Sequence, residues 1–204
     1  MPWSRLPWSR LPRPLRWLLL LLALGAAILE GRETELMRPL AQPYGRDLYA
    51  HWLDLDGNCR DTRHEILARD SLQPVRWDDA GCRVVAGRWR DPYTGEVFTD
   101  PATLDIDHLV PLKEAHRSGA DAWDAGRRAA FANDGGNLLA VSASANRSKG
   151  DGDPLAWMPP LWAARCAYTQ RFVAVKQDWG LAQDPLEGLF TRAVVGVCSA
   201  LSSG

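Results

Sequence analysis

Three short segments decide the fold of this chain: LDIDHLV at 104–110, NLLAV at 137–141 and NRSKG at 146–150. The first alternates apolar and polar residues as a half-buried strand does, and Pro111 closes it. The second is a short apolar run after the turn Asp134-Gly135-Gly136, which predicts another strand. Ser142 to Asn146 then leads into a predicted short helix that ends near Gly150. The pattern therefore predicts two strands followed by a helix.

The segments around this unit predict a mixed chain. Asp61 to Leu67 has the features of a capped helix start, with Glu65 in the first turn. The alternating runs 84–89 and 96–99 flank a Pro/Gly turn and predict a β-hairpin. Further helices are predicted at 120–132, 161–178 and 184–201. Because strands and helices do not alternate as βαβ units, the predicted fold class is α+β.

The composition is that of one folded domain. The chain has 204 residues, of which 46% are hydrophobic and 24% are charged. These values exclude wholesale disorder, and the length disfavours a second large domain. The 24 basic and 25 acidic residues leave a formal net charge of −1, which argues against a strongly basic nucleic-acid-binding protein.

The N-terminal charge pattern predicts export. Residues 1–16 contain four arginines and no acid, and residues 17–29 form an uncharged apolar run. A basic segment before a short apolar run is typical of a signal peptide, so we assign 1–29 to a signal peptide or an uncleaved signal anchor. We assign 30–43 to a linker and 44–201 to the working domain. Without the four leader arginines, 20 basic residues face 25 acidic ones, and the exported body is acidic.

The four cysteines predict disulfides. An even number of cysteines in an exported chain favours two bridges, for which three pairings exist. We favour Cys59–Cys82 and Cys166–Cys198, because each bridge links neighbouring segments and closes a loop of moderate length. A zinc site is the alternative, but the sequence has no C-x-x-C and no histidine at ligand spacing from any cysteine.

The order Asp107-His108-Leu109-Val110-Pro111, then Asn137-Leu138, then Asn146-x-x-Lys149-Gly150 resembles the HNH endonucleases of the ββα-metal superfamily. The wider frame is similar to secreted bacterial HNH-like proteins, which resemble the nuclease half of type IV restriction enzymes. That frame consists of Tyr44, Arg46-Asp47, Trp52, DLDGNCRDTRHEIL, DPYTGE, FANDGGNLLAV, NRSKGDGD and RCAYTQRFVAVK. The resemblance covers about residues 44–201. It implies a disulfide-stabilised ββα-metal core with an added β-hairpin and C-terminal helices.

The residues themselves suit phosphodiester hydrolysis. This reaction needs a base to activate water and a cation to balance the charge that develops on the phosphate. His108 is the natural base because its ordinary pKa lies near neutrality. The carboxylate of Asp107 and the amide oxygen of Asn146 are ligands for a hard ion, Mg²⁺ or Mn²⁺ rather than Zn²⁺.

The resemblance adds a division of roles. It implies that Asp107 and Asn146 share one metal ion, and that Asn137 holds the loop and orients the base. Arg147 and Lys149 are candidates for phosphate binding, and Arg147 could make a bidentate contact.

A second acidic segment has a different interpretation. Four residues occupy positions 1, 3, 5 and 12 of an EF-hand-like loop: Asp54, Asp56, Asn58 and Glu65. Cys59 stands where the sharp turn requires glycine, so a calcium site is disfavoured against an Asx-rich turn pinned by a disulfide. We expect Arg63 and Glu65 to form a structural pair or to line the cleft beside the metal site.

These observations predict a metal-dependent endonuclease that cleaves DNA, or RNA, outside the cytoplasm. We expect a monomer without a small-molecule cofactor, and membrane contact only if the leader is retained. The alternative is a non-catalytic extracellular or envelope binding module that keeps the ββα scaffold. A third interpretation is a calcium-stabilised binding protein built on the 54–65 loop.

Overall fold

The computed structural model describes residues 40–202, with side chains through 200. The predicted leader, 1–29, and the first part of the predicted linker lie outside the described residues. The last part of that linker is attached to the domain, because the amide of Ala41 donates to Asp121 and the Gln42 side chain donates to the Asp121 carbonyl. The folded region therefore includes residues that the sequence interpretation placed before it.

The described region has a mixed α and β architecture, which confirms the α+β class. Its helices are Thr62–Asp70 (α1), Leu112–Arg117 (α2), Ala125–Ala132 (α3), Ala143–Lys149 (α4), Arg165–Trp179 (α5) and Pro185–Ser202 (α6). Its strands are Arg76–Trp77 (β1), Val84–Ala86 (β2), Trp89–Arg90 (β3), Val97–Phe98 (β4), Leu104–His108 (β5) and Leu138–Ser142 (β6). They form three two-stranded antiparallel sheets, β1–β2, β3–β4 and β5–β6.

The β5–β6 pair and α4 form the centre of the fold. Leu104 pairs with Ser142 and His108 pairs with Leu138, so the two strands match over their full length. Ser142 ends β6 and caps α4, because its hydroxyl accepts from the Ala145 amide. The two predicted strands therefore pair and a short helix follows the second, although α2 and α3 are inserted between the strands in the chain.

The two faces of this sheet have different surroundings. Leu104, Ile106, Leu138 and Ala140 pack into a core cluster with α1 and the small hairpins. The intervening residues of β5 are aspartates, and they lie on the other face, where α4 contacts the sheet. Alternation along one strand therefore brings carboxylates to the helix that carries Asn146 and Lys149.

The predicted β-hairpin around the Pro/Gly turn is present, but only the end of the predicted 84–89 run takes part in it. Val84–Ala86 pairs with Arg76–Trp77, while Trp89–Arg90 pairs with Val97–Phe98. The chain changes sheets at Gly87, which lies so close to the Trp89 ring that a Cβ atom there would approach it to 2.5 Å. A two-residue strand such as β1 leaves no periodic signal in the sequence.

The helix predictions needed smaller corrections. Asp124 caps α3 by accepting from the Arg127 amide, so the predicted 120–132 helix is divided into a 3-10 turn and α3. Helix α2 after Pro111 was not predicted. The two C-terminal helices are present, but α5 begins at Arg165 rather than near 161.

Two disulfides connect the segments that the sequence favoured. Cys59 is bonded to Cys82 and Cys166 to Cys198, and the described residues contain no free cysteine. The first bridge ties the 54–59 loop to the β1–β2 turn, and the second ties α5 to α6. No helix among residues 40–202 has the length and apolar content needed to cross a membrane.

Candidate active site

Asp107 lies near the end of β5 and is buried, with 4% of its surface exposed. The Lys149 ammonium donates to Asp107 Oδ1 at 2.9 Å and to the His108 carbonyl at 2.8 Å. The Tyr93 hydroxyl donates to Asp107 Oδ2 at 2.6 Å. Burial raises the pKa of Asp107, and the Lys149 charge and the Tyr93 hydrogen bond oppose that rise. The carboxylate is thus held in one orientation by two donors.

His108, the next residue, is held by the end of α3. Its Nε2 atom lies 2.8 Å from the Ala132 carbonyl oxygen. Because a carbonyl can only accept, Nε2 carries the proton and Nδ1 keeps its lone pair. Burial lowers the pKa of His108 to about 3, and the nearby charge of Arg46 acts in the same direction. The ring is therefore neutral at physiological pH, with one basic nitrogen that has no hydrogen-bond partner within residues 40–202.

Asn137 holds the turn that follows β5. Its side chain accepts from the Val110 amide at 2.8 Å and donates to the Val110 carbonyl at 3.2 Å. Its own carbonyl accepts from the Leu109 amide. Asn137 is fully buried, so these contacts are protected from water and fix the backbone directly after His108.

Asn146 lies on α4, and its side chain contacts β5. Its Nδ2 atom donates to Asp105 Oδ2 at 3.0 Å. Because the side-chain nitrogen faces Asp105, the side-chain oxygen of Asn146, Oδ1, remains available as an acceptor. Asp105 lies two residues before Asp107 on the same face of β5, so three oxygen-bearing side chains are gathered at the contact between β5 and α4.

These residues border one cavity of about 350 Å³. Asp107, His108 and Asn146 line it together with Arg46 and Arg147. The structure thus brings together the predicted base, both predicted metal ligands and one predicted phosphate-binding residue, although they are up to 40 positions apart in the chain.

Lys149 was predicted to bind phosphate, a role that requires an accessible ammonium group. Its side chain is fully buried, and its ammonium faces Asp107 and the His108 carbonyl rather than the solvent. In this arrangement Lys149 balances the charge of the predicted ligand Asp107, and Arg147 is the exposed cation of α4.

The 54–58 loop is closed by its own side chains. Asp54 accepts from the amides of Gly57, Asn58 and Cys59, and Asp56 accepts from Asn58. The carboxylates therefore take up backbone N–H groups of the turn, as in an Asx-turn. These contacts support the structural interpretation of the loop over the calcium interpretation.

The expected pair between Arg63 and Glu65 is not formed. Arg63 donates to the carbonyls of Pro101 and Leu104 and so anchors the start of β5. Residues two apart on a helix point in different directions, which explains why Glu65 does not meet Arg63.

A further acidic cluster lies away from this cavity. Asp153, Asp184 and Glu187 each place a carboxylate oxygen within 4.8 Å of the others. The Lys176 ammonium lies 2.7 Å from Glu187 and 2.8 Å from Glu114, so the cluster already contains a cation. We therefore interpret it as a structural cluster that joins α2, α5 and α6.

The sequence interpretation gave no site role to three residues of the candidate site: Tyr93, Asp91 and Arg46. Tyr93 holds Asp107, but its segment, Asp91-Pro92-Tyr93-Thr94-Gly95, was used only as a turn signal and as part of the family resemblance. Asp91 fixes this turn to the site, because its carboxylate accepts from the amides of Tyr93 and Ser142. Arg46 was part of the family resemblance, but no role followed for it, since its relation to His108 arises only in the folded chain.

The comparison with protein families decides the class of this chain. The model of the C-terminal domain of GmrSD restriction endonucleases matches residues 61–185, a range that contains every predicted site residue from Asp107 to Lys149. The chain belongs to this family. A relative described as "Uncharacterized secreted protein", from Arthroderma benhamiae, is 36% identical over 157 residues, which cover 76% of each chain. No solved structure matches the chain significantly.

Restriction endonuclease domains generally use divalent metal ions, and the donor atoms of this GmrSD-type domain fit such an ion. Each Asp107 oxygen accepts from one donor in the structure, and a carboxylate offers about four lone pairs, so both oxygens can accept again. The side-chain oxygen of Asn146, Oδ1, adds a neutral ligand. Carboxylate and amide oxygens are the ligands that Mg²⁺ and Mn²⁺ prefer.

Proposed function

We propose that this protein is an HNH-type endonuclease that hydrolyses phosphodiester bonds of DNA with a divalent metal ion, Mg²⁺ or Mn²⁺. One observation carries the proposal. Asp107, His108 and Asn146 border the same cavity, and the contact between His108 Nε2 and the Ala132 carbonyl leaves Nδ1 as a free base. The antiparallel β5–β6 pair and α4 support the proposal, because the ββα-metal superfamily is built on two strands and a helix.

The chain's own residues perform three tasks in this proposal. His108 accepts a proton from the attacking water at Nδ1, while the Ala132 carbonyl keeps the ring from turning. The phosphate brings negative charge beside the ring, which favours the protonated form and makes the buried imidazole a stronger base. Asn137 holds the Leu109–Val110 backbone, and Arg147 binds phosphate oxygens.

A divalent ion held by Asp107 and Asn146 would supply positive charge that stabilises the phosphate and the leaving oxygen in the transition state. Lys149 and Tyr93 prepare this ligand set, because they hold the Asp107 carboxylate in place before an ion binds. The same contacts favour the ionised carboxylate, which is the form that binds metal.

The proposal includes a location outside the cytoplasm and action as a monomer. The relative from Arthroderma benhamiae is described as secreted, and two disulfides join segments of this chain. Disulfides persist in oxidising compartments. The basic and apolar residues of 1–29 would then direct export, and DNA outside the cell would be the substrate.

The test is nicking of supercoiled plasmid by residues 30–204 with Mg²⁺, Mn²⁺ or EDTA. We expect metal-dependent nicking that His108→Ala lowers by about three orders of magnitude, because the base is removed. His64→Gln is the matched control, since His64 is a half-buried histidine on α1 outside the cavity. Equal nicking by wild type and His108→Ala, with both folded, would reject the assignment of the base.

One observation favours a second candidate, a non-catalytic binding module. Both Asp107 oxygens already have donors, and Lys149 balances the charge, as in a structural ion pair. This candidate predicts no metal-dependent cleavage by the wild type and a change only in melting temperature for Asp107→Ala.

A further inference from the structure

The arginines of the described region fall into two groups. Most donate to carbonyl or carboxylate oxygens, as Arg69 does to the Gly135 and Leu138 carbonyls and Arg171 does to the Gly136 carbonyl. Arg46 and Arg147 line the cavity, and their guanidinium groups are among those that have no hydrogen-bond or ion-pair partner within residues 40–202. By contrast, Lys113, which also lines the cavity, is paired with Asp151 at 2.9 Å.

The two unpaired arginines come from different elements. Arg46 begins the 3-10 helix Arg46–Leu48, and the next residue, Tyr49, is fully buried with its hydroxyl hydrogen-bonded to His116 Nδ1. This anchor fixes the backbone that carries Arg46. Arg147 follows Asn146 on α4. Both arginines line the cavity, but they reach it from different elements: Arg147 is the sequence neighbour of the predicted metal ligand Asn146, whereas the charge of Arg46 acts on His108.

We propose that the cavity has two phosphate positions, with the scissile phosphate at Arg147 and the neighbouring phosphate of the same strand at Arg46. The proposal rests on the proposed function and deepens it, because it makes a polynucleotide, rather than a single phosphodiester, the preferred substrate. Two unpaired guanidinium groups on one cavity are suited to this role, since each can make a bidentate contact with phosphate oxygens.

The charge of the chain explains why such a position matters. The exported body has more acidic than basic residues, so it cannot attract nucleic acid through its overall charge. Binding must then depend on a few local contacts, and the loss of one is expected to have a large relative effect.

The experiment compares two substrates. A plasmid offers a phosphate next to the scissile one, whereas bis(p-nitrophenyl) phosphate is a single diester without a neighbour. We expect Arg46→Gln to lower kcat/KM for plasmid about tenfold. On the small diester the same variant should lower kcat/KM by about twofold at most. Arg147→Gln lowers both by similar factors. Arg88→Gln, an exposed arginine outside the cavity, is the control and changes neither.

Binding of a fluorescent 12-base-pair duplex in EDTA separates this proposal from the proposed function. Arg46→Gln should weaken binding and reduce the slope of log Kd against log salt by about 0.9, the value of one phosphate contact. Equal losses on both substrates, or an unchanged salt slope, would overturn the second phosphate position. Absence of all cleavage by the wild type would instead reject the nuclease function, while the salt slope would still test the phosphate at Arg46.

Discussion

Two buried lysines, Lys176 and Lys149, show how similar ion pairs serve different purposes in this molecule. Lys176 on α5 donates to Glu114, Ser118, the Ala182 carbonyl and Glu187, which are more acceptors than its three N–H bonds require. Lys149 on α4 donates to Asp107 and the His108 carbonyl, which leaves one N–H without an acceptor in the described residues. Both side chains are almost completely buried.

The difference lies in what surrounds the carboxylates. The Lys176 cluster joins three helices, and its lysine is saturated by contacts within the fold. Asp107 instead borders the cavity beside His108 and Asn146, so its carboxylate can also interact with a cation that enters the cavity. We conclude that Lys176 stabilises the arrangement of helices, whereas Lys149 holds Asp107, the proposed metal ligand, in place.

Replacement of Lys176 should have the largest effect on stability. Lys176→Met leaves Glu187 buried without a cation and Glu114 with only the half-exposed Arg117, and removal of one partner of a buried ion pair costs about 3–5 kcal/mol. Urea unfolding measures the loss. The control is Lys113→Met, because the exposed Lys113–Asp151 pair should contribute less than about 1 kcal/mol. Similar losses in both variants would contradict a structural role for the buried lysine.

Replacement of Lys149 should cost less and should change the response to metal. Asp107 loses its cation but can still be reached from the cavity, so we expect a loss of about 2–3 kcal/mol for Lys149→Met. The uncompensated carboxylate should then bind Mn²⁺ more tightly, and Mn²⁺ should raise Tm more than it does in the wild type. The double variant Asp107→Asn/Lys149→Met should lose this extra shift. The same Mn²⁺ shift in all three proteins would mean that Asp107 is not a ligand.

Two neighbouring tyrosines allow a matched comparison at the site. Tyr93→Phe removes the 2.6 Å hydrogen bond to Asp107 and should cost about 1–2 kcal/mol. Tyr168 packs against Tyr93 at 5.6 Å between ring centroids, and its buried hydroxyl has no hydrogen-bond partner among the described residues. Tyr168→Phe should therefore be neutral or slightly stabilising. Thermal unfolding of both variants tests whether the hydroxyl or the ring of Tyr93 matters.

The smallest expected effect is a pH dependence of the Lys176 cluster. Burial acts to raise the pKa of Glu114, but Lys176, Arg117 and Ser118 hold that pKa below its ordinary value of 4.5. The unfolded chain therefore binds the proton more readily, and the contribution of Glu114 is complete above pH 4.5 and lost as the pH falls below it. The stability difference between wild type and Glu114→Gln should narrow from pH 6 to pH 3. A constant difference would show that the charge of Glu114 is unimportant.

The sequence predicted the part of the site that depends on local order. Asp107 and His108 are adjacent, and Asn137 and Asn146 flank a strand and a short helix, so their spacing indicated the β5–β6–α4 unit. The positions of Tyr93 and Arg46 could not be predicted, because both reach the site from segments more than ten residues away with no periodic signal. Lys149 shows the same limit, since a lysine on a polar helix is expected to be exposed, and only its contact with Asp107 accounts for its burial.

Local sequence patterns predicted the class of fold, the two paired strands and the helix after them, the favoured disulfide pairing and the group of polar residues that carries the proposed chemistry. Strand alternation, helix caps and motif spacing involve residues that are close in sequence, so they predict local structure. The folded chain was needed to show which cations form internal ion pairs and which remain unpaired at the cavity. That distinction depends on burial and on contacts between distant segments, since a charge that is removed from water must find its partner across the fold.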